Sequence, residues 1–180
     1  MQTYTALLRG INVSGHNKIK MSDLSLLFES LDFKGIKTYI QSGNVIFQGE
    51  NLNHQELEKK ISDKIFEVFS FKVSIIIKTV EQLKNIIQNN PFIKDKNEDI
   101  NNLYLTFLSD KPDNDHLDRI KSLNYGSDEF IVSDQVIYLF CSNGYGKTKL
   151  TNNFFESKLK LIATTRNWKT INTLISIIDL

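Results

Sequence analysis

Apolar positions along the chain fall into two periods, two residues in some segments and about three and a half in others, with polar, glycine-bearing stretches between them. Thr3 to Leu8 predicts a strand. A polar loop, Arg9 to Lys18, follows it with Gly10 and Gly15. Met21, Leu24, Leu27, Phe28 and Leu31 then recur at helical spacing, with Ser22 or Asp23 placed to cap the helix and Phe33-Lys34-Gly35 to end it. Lys37 to Gln41 and Asn44 to Gln48 are short β-forming runs on either side of Ser42-Gly43, a hairpin signature. Asn53, with Glu56 three residues on, opens a second helix whose apolar stripe is Leu57, Ile61, Ile65 and Val68. Val73 to Ile77 is a dense apolar strand, and Thr79 with Gln82 forms a capping box ahead of Leu83, Ile86 and Ile87. Without that last helix, residues 3–77 read βαββαβ, the ferredoxin-like or alpha-beta plait pattern.

Residues 89–102 are polar, carry Pro91 and lack periodicity, so the chain is divided there into halves of residues 1–90 and 91–180. The pattern then partly restarts. Leu103 to Leu108 predicts a strand, Leu117, Ile120 and Leu123 a helix opened near Pro112, and Glu129–Ser133 with Val136–Phe140 a hairpin about Asp134-Gln135. Lys147 to Ser157 predicts a helix, and Leu159 to Thr165, where a closing strand is due, is ambiguous. Asn167 caps a last helix bearing Ile171, Leu174, Ile175 and Ile178. The expectation is an α+β protein of two related ferredoxin-like halves packed together, each with an antiparallel sheet, the second modified by a C-terminal helix.

Composition narrows the class without naming a function. With 180 residues, 41% hydrophobic and 24% charged, the chain has ordinary globular usage and can bury a core without metal or disulfide. Cys141 is the single cysteine, which excludes an internal disulfide framework and a multi-cysteine zinc site. The first residues do not form a signal-peptide core, and no stretch approaches the ~18 apolar residues of a membrane span, so a cytoplasmic protein without membrane association is expected. The net charge of +1 argues against a general nucleic-acid coat. That figure conceals a distribution. Residues 1–49 carry five Lys/Arg against three Asp/Glu, residues 50–140 eleven against sixteen, and residues 141–180 six against two. Both ends are basic and hold the candidate loops.

In a βαββαβ sheet of strand order 4-1-3-2, the end of strand one and the start of strand three share an edge. Arg9, Asn12 and His16 from the first loop should therefore meet Ser42 and Asn44 from the hairpin, beside backbone N–H groups and a helix start. Such donors suit an anion or a nucleobase edge. The same glycines, asparagines and serines equally serve tight turns and backbone hydrogen bonds.

Gly144-Tyr145-Gly146-Lys147-Thr148 follows a strand and precedes a predicted helix, but a full P-loop requires glycine where Cys141 stands. A simpler phosphate contact through Lys147 and Thr148 is left open beside an ordinary strand-to-helix turn. Across the predicted helix 147–157, that loop and Thr165-Arg166-Asn167 should lie ~16 Å apart. The chain has nineteen lysines and three arginines, and two of the three, Arg9 and Arg166, fall in these segments. Planar, bidentate recognition is what arginine adds. His16, His54 and His116 show no ligand spacing, so neither metal nor cofactor is expected, and Cys141 reads as a buried small hydrophobe.

Three segments together, residues 6–13 with Gly15, residues 38–47 and residues 165–170, resemble the bacterial domain of unknown function 1697 family. Asn90-Pro91-Phe92 and Gly144 to Leu150 fit in matching order, with Ser14 where the family often has a second glycine and Thr148 where serine is common. The resemblance implies a bacterial α/β protein of ferredoxin-like character and implies no activity. Three functional readings follow from the residues. The first is a binder of a phosphate-bearing or anionic ligand, a nucleotide or nucleic-acid end among them, held by Arg9, Asn12, His16, Ser42, Asn44, Lys147, Thr148, Arg166 and Asn167. The second is a phosphate-handling hydrolase or transferase with His16 as general base. The third is an interaction module. No feature of the sequence sets an oligomeric state.

Overall fold

The computed structural model describes residues 1–94 and 99–179. The elements in chain order are β1 (Gln2–Leu8), α1 (Met21–Glu29), β2 (Lys34–Tyr39), β3 (Asn44–Gly49), α2 (His54–Phe69), β4 (Ile75–Thr79), α3 (Val80–Gln88) and the single turn α4 (Pro91–Lys94). They continue with β5 (Leu103–Leu108), α5 (Asn114–Lys121), β6 (Glu129–Ser133), β7 (Val136–Phe140), α6 (Asn152–Leu159), β8 (Ala163–Asn167) and α7 (Trp168–Ile178). Two four-stranded antiparallel sheets result, ordered β2-β3-β1-β4 and β6-β7-β5-β8. Both orders are the 4-1-3-2 arrangement of βαββαβ, so the second half is complete and α7 is an addition to it.

The chain separates into two compact units. One is Met1–Lys84 with the end of α7 from Leu174 on, and the other is Asn85–Thr173. In the first, Tyr4, Ala6 and Leu8 of β1 alternate onto the face that packs against Leu24, Leu27 and Phe28 of α1 and Leu57, Ile61 and Ile65 of α2. Phe33 and Phe47 belong to the same core, their rings tilted at 43° with centroids 4.5 Å apart. The C-terminal turn of α7 is tied to this unit where Lys37 Nζ donates to the Ile177 carbonyl (3.0 Å) and Lys84 pairs with Asp179 (2.7 Å). In the second unit, Leu108, Ile137, Leu139 and Ala163 of the sheet close on Ile120 of α5 and Phe155 and Leu159 of α6.

Local signals explain most helix starts. Asn53 accepts from the Gln55 N–H, Asp113 from His116 and Thr151 from Phe154. The Thr79/Gln82 capping box is reciprocal, at 2.9 and 3.2 Å. α6 begins five residues later than expected. Tyr145–Lys147 form a 3-10 turn after Gly144 (φ +81°), and Thr151 supplies the cap that the helix needs. β8 occupies part of the ambiguous stretch and runs through Arg166 to Asn167.

Thr5 lies on the β1 face opposite the helices, fully buried, and its hydroxyl has no hydrogen-bond partner among the described residues. Thr5→Val keeps the shape and removes that desolvated hydroxyl, so chemical denaturation should show a gain of ~1 kcal/mol. A loss of stability would mean that the hydroxyl is satisfied after all.

Candidate functional site

The polar loop after β1 is built from residues in the left-handed region. Gly10, Asn12, Ser14, Gly15 and Asn17 all have φ between +47° and +79°. Asn tolerates this conformation better than most residues, whereas Ser14 at φ +50° carries strain that a glycine would relieve. Val13 and His16 close the loop tip as an isolated bridge, with the His16 N–H donating to the Val13 carbonyl (2.9 Å). At the base, Arg9 N–H donates to the Ser74 carbonyl (2.8 Å) and Leu8 N–H to the Gly43 carbonyl (2.9 Å).

The loop and the β2–β3 turn meet, as the strand order requires. Asn12 joins them. Its Nδ2 donates to the carbonyls of Ile19 (2.9 Å) and Gln41 (2.8 Å), and its Oδ1 accepts from the Ile19 N–H (2.9 Å). Asn44 is fully buried and donates to the Tyr39 carbonyl and the Ser42 hydroxyl, both at 3.0 Å. Asn12 and Asn44 thus hold the turns together instead of offering their amides to a ligand. The exposed His16 side chain and the half-buried Arg9 are not among the residues lining the adjacent cleft.

That cleft, of about 630 Å³, is lined by Asn12, Gly15, Lys18, Lys20, Asp23 and Gln41. It opens at the start of α1. Ser22 and Asp23 do not cap this helix. It begins two residues earlier than a Ser22 cap requires and three earlier than an Asp23 cap, the cap position is Lys20, and no side chain caps it. The first N–H groups of α1 therefore keep their positive field, which Lys18 and Lys20 reinforce and the exposed Asp23 partly offsets. The cations of the site are lysines that sequence reasoning passed over in favour of arginine. In a chain with nineteen lysines, no single one stands out.

The second group of expected site residues has a different role. Thr148 is buried, its Oγ1 accepts from the Leu150 N–H (3.0 Å), and it hydrogen-bonds the thiol of Cys141. Burial pushes that thiol up to about 11, which leaves it protonated and inert. Lys147 is exposed on the 3-10 turn and is not at the start of α6, which begins only at Asn152. A phosphate cradle made of Lys147, Thr148 and a helix start is therefore not formed.

Nor do the glycine loop and the 165–167 segment lie a helix length apart. Asn152 N–H donates to the Tyr145 hydroxyl (3.2 Å), and Thr165 Oγ1 donates to Asn152 Oδ1 (2.6 Å). With that proton spent, Thr165 Oγ1 accepts from the Thr106 hydroxyl (2.7 Å). This network locks the loop to the sheet. Arg166 is not in a loop. It is buried in β8, with Nη1 donating to Thr164 Oγ1 (2.8 Å) and the Thr165 carbonyl (3.0 Å). Asn167 caps α7 as expected, its Oδ1 accepting from the Thr170 N–H (2.7 Å).

Among the described residues no group of His, Cys, Asp and Glu could hold a metal ion, and no helix is long and apolar enough to cross a membrane.

Comparison with known proteins adds three findings. A family model described as a protein of unknown function (DUF1697) matches residues 1–138. No curated protein matches the chain. The solved structure of a conserved bacterial protein from Streptococcus pneumoniae superposes with a TM-score of 0.76 at 25% identity, covering 98% of each chain. The family match spans every residue lining the cleft at α1 and stops before the Gly144–Leu150 and Thr165–Thr170 segments.

Proposed function

The chain belongs to the DUF1697 family, of unknown function, and from that premise we propose that it binds a phosphate-bearing or otherwise anionic small ligand in the cleft at the start of α1. The observation that carries the reading is the meeting of Lys18, Lys20 and an uncapped helix start in one cleft of about 630 Å³. The loop that shapes it is held from within by Asn12, so little ordering remains to be done on binding. Lys18 and Lys20 supply the charge, and the first N–H groups of α1 supply oriented donors. A cytoplasmic location in a bacterium fits a chain whose lone cysteine is buried and reduced.

Thermal-shift measurements against inorganic phosphate, pyrophosphate, nucleotides and phosphosugars test the reading. A ligand present at ~100 times its Kd adds ~2.7 kcal/mol to the native state, a rise of roughly 5–10 °C for a chain of this size. The Lys18→Ala, Lys20→Ala double variant changes two exposed side chains and should keep its own melting temperature while losing the ligand shift. A shift that survives in the double variant, or no shift with any of these anions, overturns the assignment.

A further inference from the structure

A second cleft, of about 590 Å³, lies in the unit formed by Asn85–Thr173. Asn101 contributes from the 3-10 turn Ile100–Asn102, Tyr104 from the start of β5, and Asn167, Trp168, Lys169 and Asn172 from the end of β8 and the first turns of α7. Among the described residues the lining combines two aromatic rings, three carboxamides, one ammonium group and the side chain of Ile100, and none of these lining residues is a carboxylate.

Two of the amides are fixed end for end by their partners. Asp99 Oδ1 accepts both the backbone N–H and Nδ2 of Asn101 (2.9 Å each), which leaves the Asn101 Oδ1 as the acceptor. Asn167 spends its Oδ1 on the Thr170 N–H, which leaves its NH2 as the donor. The Tyr104 ring is held in turn, packed 5.2 Å from Tyr145 with its hydroxyl accepting the Tyr145 N–H at 3.4 Å. A fixed donor, a fixed acceptor and a rigid aromatic wall match a nucleobase, which offers a donor–acceptor edge and a π-face. Lys169, exposed on the first turn of α7, is the one cation among the described residues of the lining and suits a phosphate.

We infer that this cleft binds a mononucleotide, with its base against Tyr104 and Trp168, its edge read by Asn101 and Asn167, and its phosphate on Lys169. The inference shares no residue with the anion cleft at α1 and stands or falls separately from it.

Trp168 is the only tryptophan in the chain and is 8% exposed, so intrinsic tryptophan fluorescence reports on this cleft alone. The full chain is titrated with AMP, GMP, CMP and UMP, and with inorganic phosphate and ribose 5-phosphate as controls. At least one nucleotide should give a saturable change, and the two controls none. Asn167→Asp retains a cap acceptor for Thr170, and hence the fold, but removes the amide donor. It should weaken binding roughly tenfold, as should Lys169→Gln, each by loss of about one hydrogen bond. The assignment is overturned by any of three results: no saturable response to the four nucleotides, the same response from either control, or unchanged affinity in Asn167→Asp. A response weakened by the Lys18→Ala, Lys20→Ala pair would also overturn it, because the nucleotide would then belong at α1.

Discussion

Replacing Gly43 by alanine should lower stability by roughly 2–5 kcal/mol, among the largest effects of any single methyl group in the chain. Gly43 ends the β2–β3 turn at φ +75° and is buried against the first loop. A Cβ built there would stand 2.7 Å from Ile11 Cδ1, 2.8 Å from Leu8 Cβ and 2.9 Å from Ile11 Cγ1. The Ile11 side chain has some freedom to move, but Leu8 Cβ belongs to β1 and cannot shift without the sheet. The left-handed conformation adds ~1–2 kcal/mol for any residue with a Cβ. Gly10 is the internal control. It has nearly the same φ, +73°, and nothing within 4 Å of its built Cβ. Gly10→Ala should cost only the conformational part, ~1–2 kcal/mol. Thermal or urea denaturation of both variants separates the two contributions. Equal losses would show that conformation alone, and not the close approach of Leu8 and Ile11, makes glycine necessary at position 43.

The same turn shows what the sequence could and could not disclose. Ser42-Gly43 between two β-forming runs predicts a hairpin, and the hairpin with the flanking helices predicts strand order 4-1-3-2, which both sheets adopt. That order then brings the Asn12 loop to Gln41, and the two hydrogen-bond at 2.8 Å. Topology was therefore legible, and with it the place of the first cleft. The chemistry was less so. Asn12, Ser42 and Asn44 are polar residues near a candidate site, but only packing shows that their amides and hydroxyl are spent on the backbone and on each other. Ser22 and Asp23 look like caps, yet α1 starts at Met21 and absorbs them into its first turn, which leaves the helix start open to a ligand.

In the second half, a closing strand was hidden because Thr164, Thr165 and Arg166 are polar and still lie in a sheet. Thr165 is satisfied by Thr106 and Asn152, and Arg166 by Thr164 and a carbonyl. Local pattern cannot reveal a partner that is supplied from some sixty residues away. The Lys147–Ser157 helix failed for a nearer reason. Its first four residues carry no apolar stripe, and the Thr151 cap with Phe154 three positions on was the better start signal.

Asn12 is where fold and proposed function meet, and its replacement should damage both. Asn12→Gly suits the left-handed φ of +55° and removes the three side-chain hydrogen bonds. The relief at positive φ and the added freedom of the unfolded glycine oppose each other, so the loss reports mainly on the amide. At ~1 kcal/mol each, the cost is ~2–3 kcal/mol, and the melting temperature should fall by roughly 5–12 °C. Amide exchange gives a more local readout. The Ile19 N–H, which donates to Asn12 Oδ1, should lose its protection, while amides in β3 keep theirs. Because the bond to Gln41 joins the two walls of the α1 cleft, the anion-induced thermal shift should disappear along with it.

Asn12→Asp adds a pH signature. The carboxyl keeps the acceptor for Ile19 N–H but faces the Ile19 and Gln41 carbonyls that the amide formerly satisfied. Only its protonated form can donate to one of them. The exposed Lys18 and Lys20 pull the other way, but their charge is screened by solvent and the two facing carbonyls are in direct contact. The folded pKa is therefore expected above the ~3.9 of an unfolded aspartate. The stability contributed by the protonated form is then present below that unfolded value and is lost as pH rises through the folded pKa. The difference in stability between the parent chain and Asn12→Asp should therefore be small in acid and grow toward neutral pH, whereas that for Asn12→Gly stays flat. A flat difference for both would mean that Asn12 contributes by its shape and not by the two hydrogen bonds it donates.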